Sequence, residues 1–105
     1  MNLSPGQLLH AKLNSETGRL HWRELERHFA RGAVVKVAPG MDLVAVAVRF
    51  AQDDTAAIAA WLETGQVGRA STEDAVTWQG RQSTFWAVVV APWVLVQEIT
   101  APEPA

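Results

Sequence analysis

An α+β fold, with about five helices packed on a small mixed sheet of three or four short strands, is predicted by three features of the 105-residue chain. Capping residues precede amphipathic or apolar stretches at Ser4, Asp42, Asp53 or Asp54, and Ser71. Glycines close most of these stretches, at Gly18, Gly32, Gly65 and Gly80. Short β-branched runs lie between and after them, at residues 33–38 and in the double run 85–99.

Taken in order, Ser4 with Pro5 and Gln7 forms a capping box with proline at the first helical position, so a helix is expected from Pro5 to about Thr17. A second helix is expected to start near Trp22. Glu24 sits where it can reach back to the His21 amide, Leu20 can staple onto Leu25, and Trp22, Leu25 and Phe29 line one face. Residues 33–38 read as a strand closed by Pro39 and Gly40. Residues 41–51 fit two periods, because Val44, Val46, Val48 and Phe50 alternate while Leu43, Ala47 and Phe50 keep helical spacing. A helix capped by Asp42 is the reading adopted.

A further helix runs through Ile58, Trp61 and Leu62, residues 66–70 form a strand candidate, and Ser71 with Asp74 opens a helix through Trp78 to Gly80. Residues 85–91 and 93–99 are strand-like, with Pro92 at a bulge, an edge or a corner. The whole chain, 1–105, reads as a single domain, and Pro102 and Pro104 mark 100–105 as a frayed tail. GAVVKVAPGMD from Gly32 and GQVGRASTED from Gly65 share a glycine, a short strand, a turn and an acidic cap. Common chain punctuation accounts for that echo better than duplication.

Composition removes several function classes. With 49% apolar and 19% charged residues and a formal charge of −2, the chain is ordinary globular protein with no strong field for nucleic acid or anionic lipid. It has no cysteine, which excludes disulfides, thiolate metal sites and thiol nucleophiles. The start MNLSPGQLLHAKL lacks a signal-peptide pattern, and the run from Phe85 to Val96 contains Pro92 and is too short to span a membrane, so a cytoplasmic location is expected. No nucleophile elbow, Walker loop or GxGxxG turn is present, which leaves no catalytic residue and no cofactor to name. Pro39 and Gly40 ahead of a helix start could aim free amides at an anion, but Asp42 would repel it.

Four groups of residues invite a functional reading. His21, Glu24 and His28 share a helix flank as metal ligands can, but local pairing with Arg27 or His28 on a wet face is favoured, and no metal is assigned. Arg19, Arg23, Arg27 and Arg31 recur every four residues as a basic ridge that Glu24 and Glu26 interrupt, which makes nucleic-acid contact an unlikely third reading. A winged helix, with the helices near Asp54 and Ser71 as its helix-turn-helix, is opposed by Glu73 and Asp74 at the start of the recognition helix. Among the five tryptophans, Trp22, Trp61 and Trp78 are expected in the core. Trp86 and Trp93, seven apart and hence on opposite faces of a regular strand, are candidate interface anchors.

The runs HWRELERHFARGAVVKVAPGMDLVAVA from His21 and FWAVVVAPWVLVQE from Phe85, with LNSET at Leu13, resemble a family of small bacterial proteins catalogued as a domain of unknown function. The resemblance implies a free-standing bacterial cytoplasmic protein and carries over no functional residue. In similar chains the position before the helix tryptophan is often proline; His21 here departs from that.

The functional expectation is a non-enzymatic, homo-oligomeric interaction or regulatory module. The strands after Phe85 are apolar on both faces and need cover, so the run is either the centre of the sheet or an edge completed by a second copy; the second is favoured, with Trp86, Trp93, Val94 and Val96 at the interface of a homodimer or with another protein partner. The alternative is a small-molecule binder or minor enzyme with a pocket near Trp22, rimmed by His28 and Arg31 together with His21 and Glu24.

Overall fold

The described part of the structure, a computed structural model, covers residues 2–100; most of the tail expected over 100–105 lies outside it. Ten elements follow one another: α1 (Pro5–Glu16), β1 (Gly18–His21), α2 (Trp22–Ala30), β2 (Val34–Val37), α3 (Leu43–Ala51), α4 (Thr55–Thr64), β3 (Val67–Arg69), α5 (Thr72–Arg81), β4 (Thr84–Val90) and β5 (Trp93–Glu98). The α+β class and the five helices are as expected, but the sheet has five strands rather than three or four.

The missed strand is β1. Gly18 does not end α1 in a left-handed turn; it opens a strand whose four residues pair antiparallel with Ala87, Trp86, Phe85 and Thr84 of β4. GRLH carries no β-branched residue, so its strand character comes from the β4 edge it pairs with rather than from local preference. Helix α5 also ends later than Gly80. Gln82 takes the left-handed conformation (φ 49°), and its Nε2 donates to the Gln79 carbonyl at 2.7 Å.

Where residues 41–51 were ambiguous, burial decides. Leu43, Val44, Val46 and Ala47 are buried and Ala45 is exposed, a stripe of period 3.6 that no alternating strand would give. Asp42 caps it, its carboxylate accepting from the Ala45 amide at 3.1 Å. The capping boxes of α1, α2 and α5 form as read: Ser4 with Gln7, His21 with Glu24, and Ser71 with Asp74.

Sheet order is β1-β4-β5-β2-β3, antiparallel throughout except for the parallel pair β2–β5. The strands expected to need a second copy are therefore the interior of the sheet, and this chain's own helices pack on both their faces, leaving Trp86 and Val89 exposed. One face carries Val35, Val37, Val67, Val88 and Leu95 beneath α1, α3 and α4. The other carries Val34, Phe85, Val94 and Val96 beneath α2 and α5. Ala91 and Pro92, joined by a cis peptide, make the two-residue turn of the β4–β5 hairpin. Because Val90 opposes Trp93 across that turn, Trp86 and Trp93 fall on one face; the expected opposition fails because parity counts along one strand, not around a hairpin. Among the described residues no helix is long and apolar enough to cross a membrane.

Candidate functional site: an apolar groove beside α4

Helix α4 starts at Asp54, whose carboxylate accepts from the Ala57 amide at 3.1 Å and from Arg49 Nη1 at 3.3 Å, and it stops at left-handed Gly65. Between those caps the sequence TAAIAAWLET has one charged residue, Glu63, and no polar face. An apolar helix of this kind belongs inside a protein. Yet none of its residues is buried, and Leu62 is 53% exposed.

The reason is how α4 lies. It contacts β3, the three-residue strand at the sheet edge, and α3, leaving a groove of about 570 Å³ between itself and the sheet. Phe50 of α3, Ile58 and Leu62 of α4, and Val35 and Trp93 of the sheet line it. Its polar edge consists of Arg69, Thr55 and Asp53, the last in the left-handed conformation (φ 55°). Arg69 lies next to Val35 in the β2–β3 ladder, and its guanidinium reaches over the Trp93 ring, 5.2 Å from the centroid, while Nη2 donates to the Gly32 carbonyl at 3.2 Å. Such a cation over an indole contributes about 0.5–1 kcal/mol when exposed. No histidine lines the groove. It presents apolar surface, an indole and a cation, which suits binding.

The profile of the family described as "Protein of unknown function (DUF2288)" matches residues 8–98. The chain belongs to that family. This DUF2288 chain is also similar to a solved structure, the NMR solution structure of PA1075 from Pseudomonas aeruginosa, at 41% identity and a TM-score of 0.79, over 100% of this chain and 98% of that one. No curated protein matches it.

In this DUF2288 protein the residues singled out in sequence are not gathered at one place. Trp22 is buried, its indole N–H donates to Gln79 Oε1, and Phe29 and Trp78 pack on it with centroids 5.9 and 5.8 Å away. It has no open face for a ligand. His28 Nδ1 lies 2.6 Å from Arg31 Nη2, and burial, reinforced by Arg31 and Arg27, holds its pKa below the ordinary histidine value. His21 Nδ1 accepts from the Arg23 amide at 3.1 Å and Glu24 accepts from the His21 amide at 3.4 Å, so two members of the suggested metal triad are spent on the cap of α2.

Trp93 alone of the four expected interface residues lines the groove. Trp86 shares its face of the sheet but is 40% exposed at a distance, with the Arg19 guanidinium 5.1 Å from its ring; Val94 and Val96 are buried on the opposite face. Arg19 thereby leaves the arginine ridge, since it sits on β1 while Arg23 and Arg27 lie on α2. The winged helix, already opposed by Glu73 and Asp74, does not form. Strand β3 separates α4 from α5, the two helices pack on opposite faces, and β4 and β5 are internal strands rather than a wing.

Sequence reasoning missed Arg69, Asp53 and Phe50 as a group, because three separate pieces bring them together: β3, the α3–α4 turn and the end of α3. The signal that was available is α4 itself, TAAIAAWLET, which has almost no polar face to turn to solvent.

Proposed function

We propose that this protein is a non-enzymatic, homo-oligomeric interaction module whose contact surface is the α4 groove. The observation that carries the reading is the apolar, uncovered surface of α4, with Ile58, Trp61 and Leu62 none of them fully buried, beside an indole floor at Trp93. Fully burying side chains of this kind contributes roughly 1.5–3 kcal/mol each, so closing the groove twice in a twofold contact is a substantial driving force. Asp53 and Arg69 put charges of both signs on the edge of the groove, as an isologous contact needs if it is not to repel itself.

Sedimentation velocity on the full chain tests this. The expected result is a dimer at micromolar concentration that Leu62→Glu converts to monomer while thermal stability stays within about 0.5 kcal/mol of the parent, as for a surface position. A parent that is monomeric at every concentration overturns it.

A second reading is favoured by the groove's volume. About 570 Å³ lies within the range of small-molecule sites, and Arg69 over Trp93 would suit an apolar carboxylate. Thermal stabilisation by octanoate, lost in Arg69→Met, would support it.

A further inference from the structure

On the face of the sheet away from α4, a cleft of about 300 Å³ opens between α5 and the carboxyl ends of the parallel strands β2 and β5. Two ion pairs line it. Lys36 Nζ stands 2.9 Å from Asp74 Oδ1, and Arg81 Nη1 stands 3.4 Å from both Glu98 oxygens. Lys36 and Glu98 project from neighbouring strands on one face, while Asp74, Thr77 and Arg81 follow the helical three-and-four spacing along α5; buried Trp78 forms part of the lining.

The two signs are held differently. Asp74 also accepts from the Ser71 amide at 2.9 Å, and Glu98 also accepts from the Ser83 hydroxyl at 2.6 Å. Both carboxylates are only 20% exposed, whereas the side chains of Lys36 and Arg81 are 44% and 62% exposed. Either cation can therefore turn to an incoming anion while its carboxylate keeps a hydrogen-bond donor. The 3.4 Å contacts of Arg81 are beyond the usual charge-assisted range, which makes that exchange cheap for Arg81. The four side chains sum to zero charge, so neither a bare anion nor a bare cation is electrostatically favoured over a ligand that carries both.

We propose that this cleft binds a small zwitterion of the α-amino acid class, its carboxylate taken by Arg81 and Lys36 and its ammonium by Glu98 and Asp74. A volume of 300 Å³ holds roughly ten water-sized groups, enough for a short side chain against Trp78. The site is independent of the α4 groove and is complete within one chain.

The test is a set of amide spectra of the isotopically labelled full chain, titrated separately with each common α-amino acid to about 10 mM, with acetate and methylamine as single-charge controls. The expected result is saturable movement of amides at 36–38, 74–78 and 97–98 with at least one amino acid, absent with either control. In Arg81→Met, the affinity should fall about tenfold while the remaining amides keep their positions. Movement produced equally by acetate alone would make this a general anion site and overturn the proposal. So would saturation confined to α4, an unchanged affinity in Arg81→Met, or no saturable movement with any amino acid.

Discussion

The two faces of the sheet are built from similar numbers of helices but finished differently. Beneath α2 and α5, Phe29, Trp22, Trp78 and Phe85 form a chain of edge-to-face and tilted rings, with successive centroids 4.9 to 5.9 Å apart, and close around Leu25, Val34, Val94 and Val96. On the other face, α1 and α3 seal the middle of the sheet, but α4 at its β3 end has no fully buried residue, with Trp61 only partly packed on the core, and stands off a groove. The difference teaches that apolar content does not by itself locate a core: TAAIAAWLET is as apolar as many buried helices, and the length of the strand beneath it decides how much is covered.

Truncating one apolar side chain on each face separates the two. Phe85→Ala should cost about 3–5 kcal/mol, because a fully buried side chain leaves a cavity among rigid neighbours. Ile58→Ala on α4 should cost well under half of that, since the position is only half-buried. Chemical denaturation of both variants checks the ratio; equal losses would mean that α4 is as firmly packed as α5.

A smaller effect is expected at the caps. Ser71→Ala removes the hydroxyl that accepts from the Asp74 amide at 3.0 Å and should destabilise the protein by about 0.5–2 kcal/mol in the same assay.

How far the sequence led follows the same division. Caps and periods are local, so Ser4, Asp42, Ser71 and the stripe of α2 were legible, and with them the five helices and the family likeness. Pairing is not local. Nothing in GRLH announces a strand, and nothing in the run from Phe85 to Ile99 says whether it lies at an edge or in the middle of the sheet. The groove depends on both, since Arg69 and Trp93 meet only through the β3-β2-β5 register. Trp22 and His28 drew attention as residue types, yet one is core and the other is bonded to its own helix terminus.

The smallest expected effects depend on pH. His28 titrates below the ordinary value in the folded chain, so the unfolded chain binds more protons between the two pKa values, and stability should fall as pH drops through the mid-sixes toward the folded pKa. His28→Gln should flatten that part of the profile. Asp74 has its pKa lowered: burial pushes it up, but the Ser71 hydrogen bonds and Lys36 outweigh that. Its contribution is present above the ordinary carboxylate range and should be lost as pH falls through and below it, a loss that Asp74→Asn removes. Thermal melts from neutral pH downward separate the two.

If the α4 groove is where this chain meets a second copy, its residues sense association and the rest of the surface does not. A concentration series of amide spectra on the full chain tests it most directly, by mapping which residues move as the protein associates. The expected result is movement at 55–64, 67–69 and 93, with α2 and α5 unchanged; movement confined to β1 and Trp86, or spectra that do not change with concentration, would rule this contact out.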